Sequence, residues 1–349
     1  MEKEYNVILK KGVDYDQFGN DMITITNKDG IPNREIEIAN ARLGSYRQTH
    51  YNLTDEEAAE VRNHPNVLEV EIPPENRDDV IIGHNGRQSG TFTKSPGTTQ
   101  EHANYALLRS KYKNNPYGTG TELSEDYLFN LDGTGVDVVI QDSGIQKDHP
   151  EFTDESGASR VQEINWYTAS GLTGSQSAYL YTDYDGHGTH CTGIAAGKTF
   201  GFAKEARIYA QKLAGLEGSS DPYDGIPISD AFDTIRLWHA SKSGSRPTVV
   251  NMSWGYGTNL SAGGITAVNY RGSSVSGTEY ATDYGIATYS AASTWRINAR
   301  VSSVDVEIQE MIDAGIIICI ASGNLNYKID VPGGLDYNNY FTKGGTNYY

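Results

Sequence analysis

The alternation of apolar and polar positions changes character twice along the chain and divides it into three stretches. Residues 1 to about 75 read as a small α+β unit that opens with an apolar strand, YNVILK. The unit closes on LTDEEAAEVRNHPNVLEVEI, which carries a helix start at Thr54. Glu57, three residues on, is the partner a capping box requires, and Leu53 with Ala58 makes the matching hydrophobic staple. Pro65 stops that helix. Leu68, Val70 and Ile72 then alternate with Glu69 and Glu71, the period of a half-buried strand. Residues 76 to about 125 are rich in Gly, Asn, Thr and Ser, with little apolar surface to bury. They read as a linker, with one short helix predicted at YALLRSKY.

From about 130 onward, strand and helix patterns alternate. GVDVVIQDSG reads as a strand ending in a turn, HGTHCTGIAAG as a short helix of small residues, ARIYAQKLA as a strand and ISDAFDTIRLWHASKSG as an amphipathic helix. TVVNMSWG is a third strand, SSVDVEIQEMIDAG another helix, and IIICIASGN a fourth strand with a nearly continuous apolar run. Strands this apolar are covered on both faces, which predicts an α/β fold: a parallel sheet flanked by helices in three layers, with right-handed crossovers. Ligands of such sheets bind beyond the carboxyl ends of the strands, where Asp142, Ser253 to Gly255, and Asn324 stand. A dinucleotide-binding turn is excluded, because Gly133 and Gly135 precede their strand and DSGIQKDHP after it lacks the phosphate-cradling glycine spacing.

Composition narrows the function. Forty-five acidic against 28 basic residues leave a net charge of −17, which repels phosphate and anionic lipid and argues against nucleic-acid and membrane partners. The start, MEKEYNVILKKG, carries charges where a signal peptide needs an apolar core, and no apolar run reaches a membrane span, so the expected location is intracellular or inside a larger assembly. Cys191 and Cys319 lie among small or apolar residues, and two thiols in a chain of 349 residues make no disulfide framework. Both are expected as buried free thiols. The 24 tyrosines crowd toward the C-terminal half with Gly, Ser, Thr and Asn, which suggests polar, stacking loops.

The chemistry concentrates in DYDGHGTHCTGIAAG, Asp183 to Gly197. His187 stands at the first turn of the small-residue helix, where its ring reaches the cleft and the helix N-terminus leaves backbone N–H groups free. His190, three residues on, points to a neighbouring position and is expected to pack locally. A carboxylate at the end of a strand, Asp142, is placed to accept a hydrogen bond from Nδ1 of an imidazole, fixing its tautomer and favouring the imidazolium. Asp142, His187 and Asn324 are therefore expected to converge.

VVIQDSGIQKDHPEF, DGHGTHCTGIAAG, NMSWG and IIICIASGN resemble, in order, the successive sequence blocks of the subtilisin-like serine proteases, and the Cys191 variant of the histidine block is similar to the proteinase K branch. The resemblance implies a peptide or protein substrate, Asp142 as the orienting carboxylate and His187 as the general base. It implies Asn324 as the side-chain donor of the oxyanion hole, a contact whose loss costs about 10²- to 10³-fold in rate in subtilisin itself. Ser253, Trp254 and Gly255 match the strand whose backbone pairs with an extended peptide, and Ser322 and Gly323 before Asn324 join them as expected substrate-binding positions. Residues 1–75 resemble the propeptide of these enzymes, a small ferredoxin-like domain whose tail lies in the substrate groove. Self-cleavage is then expected between about 76 and 125, with residues 126–349 as the catalytic domain. Catalysis in this family needs no cofactor. Structural calcium is common in it, and no spacing here fixes a site, so metal ligands stay unassigned.

Two departures stand out. From Gly255 to Asn324 the chain carries an insertion, about 256–300, rich in Tyr, Gly, Ser and Thr without a helical stripe, and its expected role is a surface elaboration or a lid. The family's nucleophile block, G-T-S-x-A, is absent from the 349 residues. The expectation is a fragment of a longer protease, truncated or cut by its own activity, whose C-terminal third carries the serine, associates with this chain and covers IIICIAS. The alternative is a catalytically incomplete domain that serves as a binding or structural component of a larger assembly such as a phage particle.

Overall fold

The computed structural model describes residues 1–42, 44–77, 81–83, 131–213, 225–261, 263–275, 284–291, 294–325 and 327–349. The helix predicted at YALLRSKY lies outside these residues. The chain forms two compact units: Met1–Pro73, Gln88–Ser253 and Ser303–Ile320 make the first, and Pro74–Arg87, Trp254–Ser302 and Ala321–Tyr349 the second.

The N-terminal part of the first unit comprises β1 (Lys3–Leu9), α1 (Tyr15–Ile23), β2 (Ile38–Asn40), β3 (Gln48–Leu53), α2 (Asp55–Arg62) and β4 (Val67–Glu71). Its antiparallel sheet has the order β2-β3-β1-β4. Each helix is capped by its own sequence. The Asp14 side chain accepts from Gln17 N–H at the start of α1, and Thr54 with Glu57 forms the full capping box of α2, worth about 1 kcal/mol. One face of the sheet carries Tyr5, Val7, Leu9, Tyr51, Leu53 and Val70 into a core with Phe18 and Met22 of α1 and Ala58 and Val61 of α2. The strand predicted from Leu68, Val70 and Ile72 differs in one position: Leu68 is 41% exposed, because the pairing of β4 with β1 slips between Ile8 and Leu9 and passes over it. Val67 takes the inward place instead.

The opposite face of this sheet is polar yet buried. Asn6, Gln48 and His50 are covered together with Ile8, and what covers them is a pair of helices further along the chain. The Gln48 amide donates to Ser303 O at 3.1 Å, and Ser303 N–H donates to Glu71 Oε1 at 2.9 Å. Glu71 thereby satisfies an N–H of the first turn of a helix it does not belong to.

A short strand, β5 (Ile81–Gly83), follows in the second unit. The first unit resumes with β6 (Asp137–Asp142), α3 (Trp166–Ser170), α4 (His187–Ala196), β7 (Arg207–Lys212), α5 (Ile228–Ser241) and β8 (Thr248–Met252). The second unit then carries β9 (Gly255–Ser261), β10 (Ile265–Tyr270), β11 (Ser273–Val275), β12 (Thr288–Ala291) and β13 (Thr294–Asn298). α6 (Ser302–Asp313) and β14 (Ile317–Ile320) complete the central sheet, and β15 (Tyr340–Lys343) and β16 (Thr346–Tyr348) end the chain.

The central sheet runs β14-β8-β6-β7, parallel throughout, the α/β arrangement the sequence predicts. β6, in the middle, is buried at all six residues. Asp137 at its start is enclosed with Lys242 at 2.7 Å and Arg246 at 2.9 Å. Trp166 of α3 packs edge-on against Trp238 of α5, with Tyr209 of β7 completing the cluster, and its indole N–H donates to Ala210 O. Full burial of side chains this large contributes about 1.5–3 kcal/mol each. β14 is the end strand of the described sheet, and with Ile317 54% and Ile320 56% exposed the described residues do not supply the cover that its apolar run implies. Cys319 on it is an exposed free thiol and Cys191 a half-buried one, which corrects the expectation of two buried thiols.

The second unit contains two antiparallel sheets, β12-β13-β9-β5 and β11-β10-β15-β16. Val268, Ile286, Ala287, Ile297 and Phe341 form its core. The described part of the 256–300 insertion is therefore largely sheet, and Tyr270 stacks on Tyr284 with ring centroids 4.2 Å apart.

Candidate active site

β6 delivers Asp142 at its carboxyl end, and the chain turns at once through Gly144, at φ +112°, where a Cβ would fall 2.7 Å from Thr182 O. α4 begins at His187 after Gly186, which caps it in the left-handed region at φ +90°. Gly188 lets the first turn of α4 lie directly on the end of β6. A Cβ there would fall 2.2 Å from Gly144 O and 3.2 Å from the Asp142 Cβ. The small residues of this stretch thus serve an approach of backbone to backbone. Its result is a hydrogen bond of 2.8 Å between His187 Nδ1 and Asp142 Oδ1.

Asp142 is fully buried, and the His187 side chain is 26% exposed. Ser143 N–H donates to the same Oδ1 at 2.7 Å, while Oδ2 is buried with no hydrogen-bond partner among the described residues. A carboxylate this poorly solvated gains from any positive charge placed against it. Burial acts to lower the pKa of His187, but the hydrogen bonds to Asp142 and Cys191 and the charge of Asp142 outweigh it and raise the imidazole to about 10. The Cys191 sulfur lies 3.8 Å from Nδ1 and 4.0 Å from Nε2, one helical turn along α4. In its neutral form, which gains population as pH approaches about 10, the imidazole is held in a fixed tautomer, with the proton on Nδ1 directed at the carboxylate and Nε2 as the proton-accepting atom.

Sequence reasoning passed over the residues that hold this geometry. Asp183 Oδ1 accepts from the Ser143 hydroxyl at 3.0 Å and from Gly186 N–H at 2.8 Å, and Oδ2 accepts from Thr189 N–H and Thr189 Oγ1 at 2.8 and 2.6 Å. The Ser143 hydroxyl also accepts from Gly188 N–H at 2.9 Å. Asp183 and Ser143 therefore fasten the neighbour of Asp142 to the residues on either side of His187. The available signal was an acidic residue four positions before the histidine, next to a helix start whose free N–H groups favour a carboxylate.

A sequence model described as the subtilase family of peptidases matches residues 133–348, more than half of the chain. The chain belongs to the subtilase family. A subtilisin-like serine protease of Cochliobolus lunatus is 32% identical over 213 residues, covering 58% of this chain and 36% of that protein. The cuticle-degrading protease of Metarhizium anisopliae is 31% identical over 219 residues, covering 62% and 46%. Among solved structures, a cold adapted subtilisin-like serine proteinase aligns at 23% identity with a TM-score of 0.37, covering 64% of this chain and 57% of that one. The chain spans less than half the length of these two curated relatives.

In this subtilase, the other residues singled out from the sequence fall in different places. Ser253 follows β8, and its hydroxyl accepts from the Asn251 amide at 2.9 Å. Trp254 is buried in the second unit with its ring edge-on to Tyr256, and Gly255 opens β9. Ser322, Gly323 and Asn324 also belong to the second unit, just past β14, with Gly323 at φ +83°. The structure thus brings Asp142 and His187 together and places Asn324 in the other unit. The backbone of β9 is already engaged by an extended segment: β5 runs antiparallel to it, with Ile81 opposite Gly257, Ile82 opposite Tyr256 and Gly83 opposite Gly255.

Among the described residues, two groups of three donor side chains lie close enough to share a metal ion: Asp142, His187 and Cys191, and Asp233, Glu307 and Glu310. In the first, Nδ1 is already bonded to Asp142. In the second, the guanidinium of Arg42 is seated against Asp233 and Glu307.

Proposed function

We propose that this subtilase is a serine endopeptidase whose N-terminal unit, residues 1–75, is its propeptide. In this reading His187 is the general base, Asp142 orients it and stabilises the imidazolium, and Asn324 with a backbone N–H holds the oxyanion. The observation that carries it is the 2.8 Å contact between a buried carboxylate at a strand end and an imidazole at a helix start, in a chain of this family. A serine from a G-T-S-x-A block forms the bond to the scissile carbonyl carbon and passes its proton to His187 Nε2. The same nitrogen returns the proton to the leaving amine as the C–N bond breaks, and water then releases the acyl group.

Two further observations support the reading. The segment after the N-terminal unit adds as a strand to Gly255–Gly257, the mode in which an extended peptide is recognised by main-chain hydrogen bonds. This favours the early part of the 76–125 stretch, just past Gly83, as the processing site. The open edge of β14, with Ile317 and Ile320 exposed, suits a sheet that continues in a serine-bearing segment.

A second reading makes this subtilase domain a binding component of a larger assembly. Labelling the native protein with a fluorophosphonate and mapping the modified peptide separates the two. A single labelled serine, with the label lost in His187→Ala, is the expected result, and an unlabelled protein supports the binding component. N-terminal sequencing of the labelled material is expected to find a new terminus between 76 and 125. Met1 still joined to the protease domain in active material would refute the propeptide assignment.

A further inference from the structure

The most enclosed ionic cluster among the described residues lies away from His187, where the N-terminal sheet meets α5 and α6. Arg42, in the loop between β2 and β3, has a side chain only 2% exposed. Its Nε and Nη2 each lie 3.3 Å from Asp233 Oδ2 on α5, and Nη2 donates to Glu307 Oε1 on α6. Glu310, one turn beyond Glu307, is 3.6 Å from Arg236, which also pairs with Asp233 at 2.7 Å. Glu307 Oε2 is buried with no hydrogen-bond partner among the described residues. On the N-terminal side, Arg42 Nη1 reaches Gln48 Oε1 and His50 Nε2, both at 3.4 Å, and His50 Nδ1 meets Glu4 at 2.6 Å.

The loop is shaped for this contact. Arg42 sits at φ +42°, a conformation a long side chain adopts at a cost and holds only where its surroundings over-determine it. Two residues on, Gly44 lies so close to α5 that a Cβ would fall 2.9 Å from Asp233 Cγ and 3.0 Å from Leu237 Cδ1. Buried carboxylates without a cation are strongly unfavourable, and a lysine is too compact a donor to engage both helices at once.

We propose that the α5–α6 face bearing Asp233, Glu307 and Glu310 is a docking surface selective for a polypeptide that inserts one guanidinium, and that Arg42 is the residue by which the N-terminal unit is recognised there. The docking is read directly from the contacts; its consequence, that Arg42 decides whether the N-terminal unit stays seated on the protease after cleavage, rests on the propeptide reading. The surface rejects N-terminal units that lack an arginine at this loop position, because they would leave Glu307 buried without its guanidinium and Asp233 with Arg236 alone.

The test is hydrogen–deuterium exchange on the full chain, comparing peptides from β3 and α6 with peptides from β6 and β8. Arg42→Met and Arg42→Lys are both expected to speed exchange in β3 and α6 on the order of a hundredfold, with β6 and β8 unchanged. The double variant Arg42→Met with Glu307→Gln removes the uncompensated charge and is expected to recover at least part of the protection. Protection retained in Arg42→Met, or a full rescue by lysine, would overturn the proposal. Should Arg42→Met lose the whole fold, exchange in Glu307→Gln alone decides: faster exchange confined to β3 and α6 supports the socket, and wild-type exchange there overturns it. N-terminal sequencing of the same samples is independent. An unprocessed chain with an Arg42-dependent contact removes the propeptide reading and leaves the docking surface standing.

Discussion

The surroundings of Asp142 and of Asp233 both set buried carboxylate against cations, and they differ in whether the cation can surrender its proton. At Asp142 a single carboxylate faces an imidazole with one edge toward solvent, so the charge is conditional on pH and the proton has an exit. At Asp233 two carboxylates, one from each of two helices, flank the Arg42 guanidinium, which stays protonated at any pH where the protein is folded, and both partners are shut away from water. The first arrangement suits the transfer of a proton and the second suits permanent attachment. Burial alone therefore does not tell a reactive ion pair from a structural one. The titration range of the cation and the access of solvent to it do.

Replacing Asp142 by Asn should separate the two regions most sharply. In the serine-bearing protein it is expected to lower kcat by about 10⁴-fold, because the imidazole loses both its tautomer and its counter-charge. His187, followed by ring-proton NMR, should fall from about 10 back toward its ordinary value of 6.5. Exchange in β3 and α6 should not change, since the Arg42 socket shares no residue with this pair. A His187 titration unmoved by the substitution would break the comparison.

A smaller contrast comes from the two glycines that bring the elements together. Gly188→Ala forces a methyl group against the Gly144 carbonyl oxygen at 2.2 Å and is expected to destabilise the first unit by about 3 kcal/mol, read from its denaturant midpoint. Gly44→Ala meets the end of the Asp233 side chain at 2.9 Å and is expected to cost about 1 kcal/mol, loosening the N-terminal sheet while leaving β6 intact. Equal effects would mean that the Arg42 loop is packed as rigidly as the start of α4.

A further contrast lies in pH dependence, where the two regions should occupy different windows. Glu307 is raised from 4.5 to about 8, chiefly by burial, with Arg42 and Arg236 opposing and Asp233 and Glu310 reinforcing the rise. A carboxyl raised on folding contributes stability that is present below about 4.5 and is lost as pH climbs through about 8. Asp230 also faces Arg42, and Arg47 faces Glu310, so both enter the same titration. His187, raised from 6.5 to about 10, contributes stability present below 6.5 and lost as pH rises through about 10. Urea denaturation across pH 4 to 10 should therefore show Glu307→Gln flattening the lower window and Asp142→Asn the upper one. A single shared window would sink the assignment of separate clusters.

The central sheet was legible because its strands are apolar along their whole length and its helices carry clear stripes, and each predicted element from Asp137 to Ile320 is present. The capping box at Thr54 and Glu57 was legible for the same reason, that cause and effect lie within three residues. Asp142 and His187 were named from a strand end and a helix start. Asp183 was missed, since its partners Ser143 and Thr189 become neighbours only when β6 and α4 meet. Asn6, Gln48 and His50 misled, because alternation says only that a strand has two faces and polar residues on one of them imply water. Here that face meets helices more than 150 residues away in sequence, and nothing local in ANARLGSYR marks Arg42 as the link. Leu68 misled through a one-residue slip in pairing, which periodicity cannot register.

The strand that β5 adds to β9 is attached to the same chain, and this changes the competition for that edge. A tethered segment presents itself at an effective concentration on the order of millimolar, whatever the amount of protein in solution. Any free peptide seeking the backbone of Gly255–Gly257 must exceed that figure or bind far more tightly, so occupancy of the edge is independent of dilution while the connection is whole. Once the connection is severed, the same segment becomes one ligand among many and dilution begins to count against it.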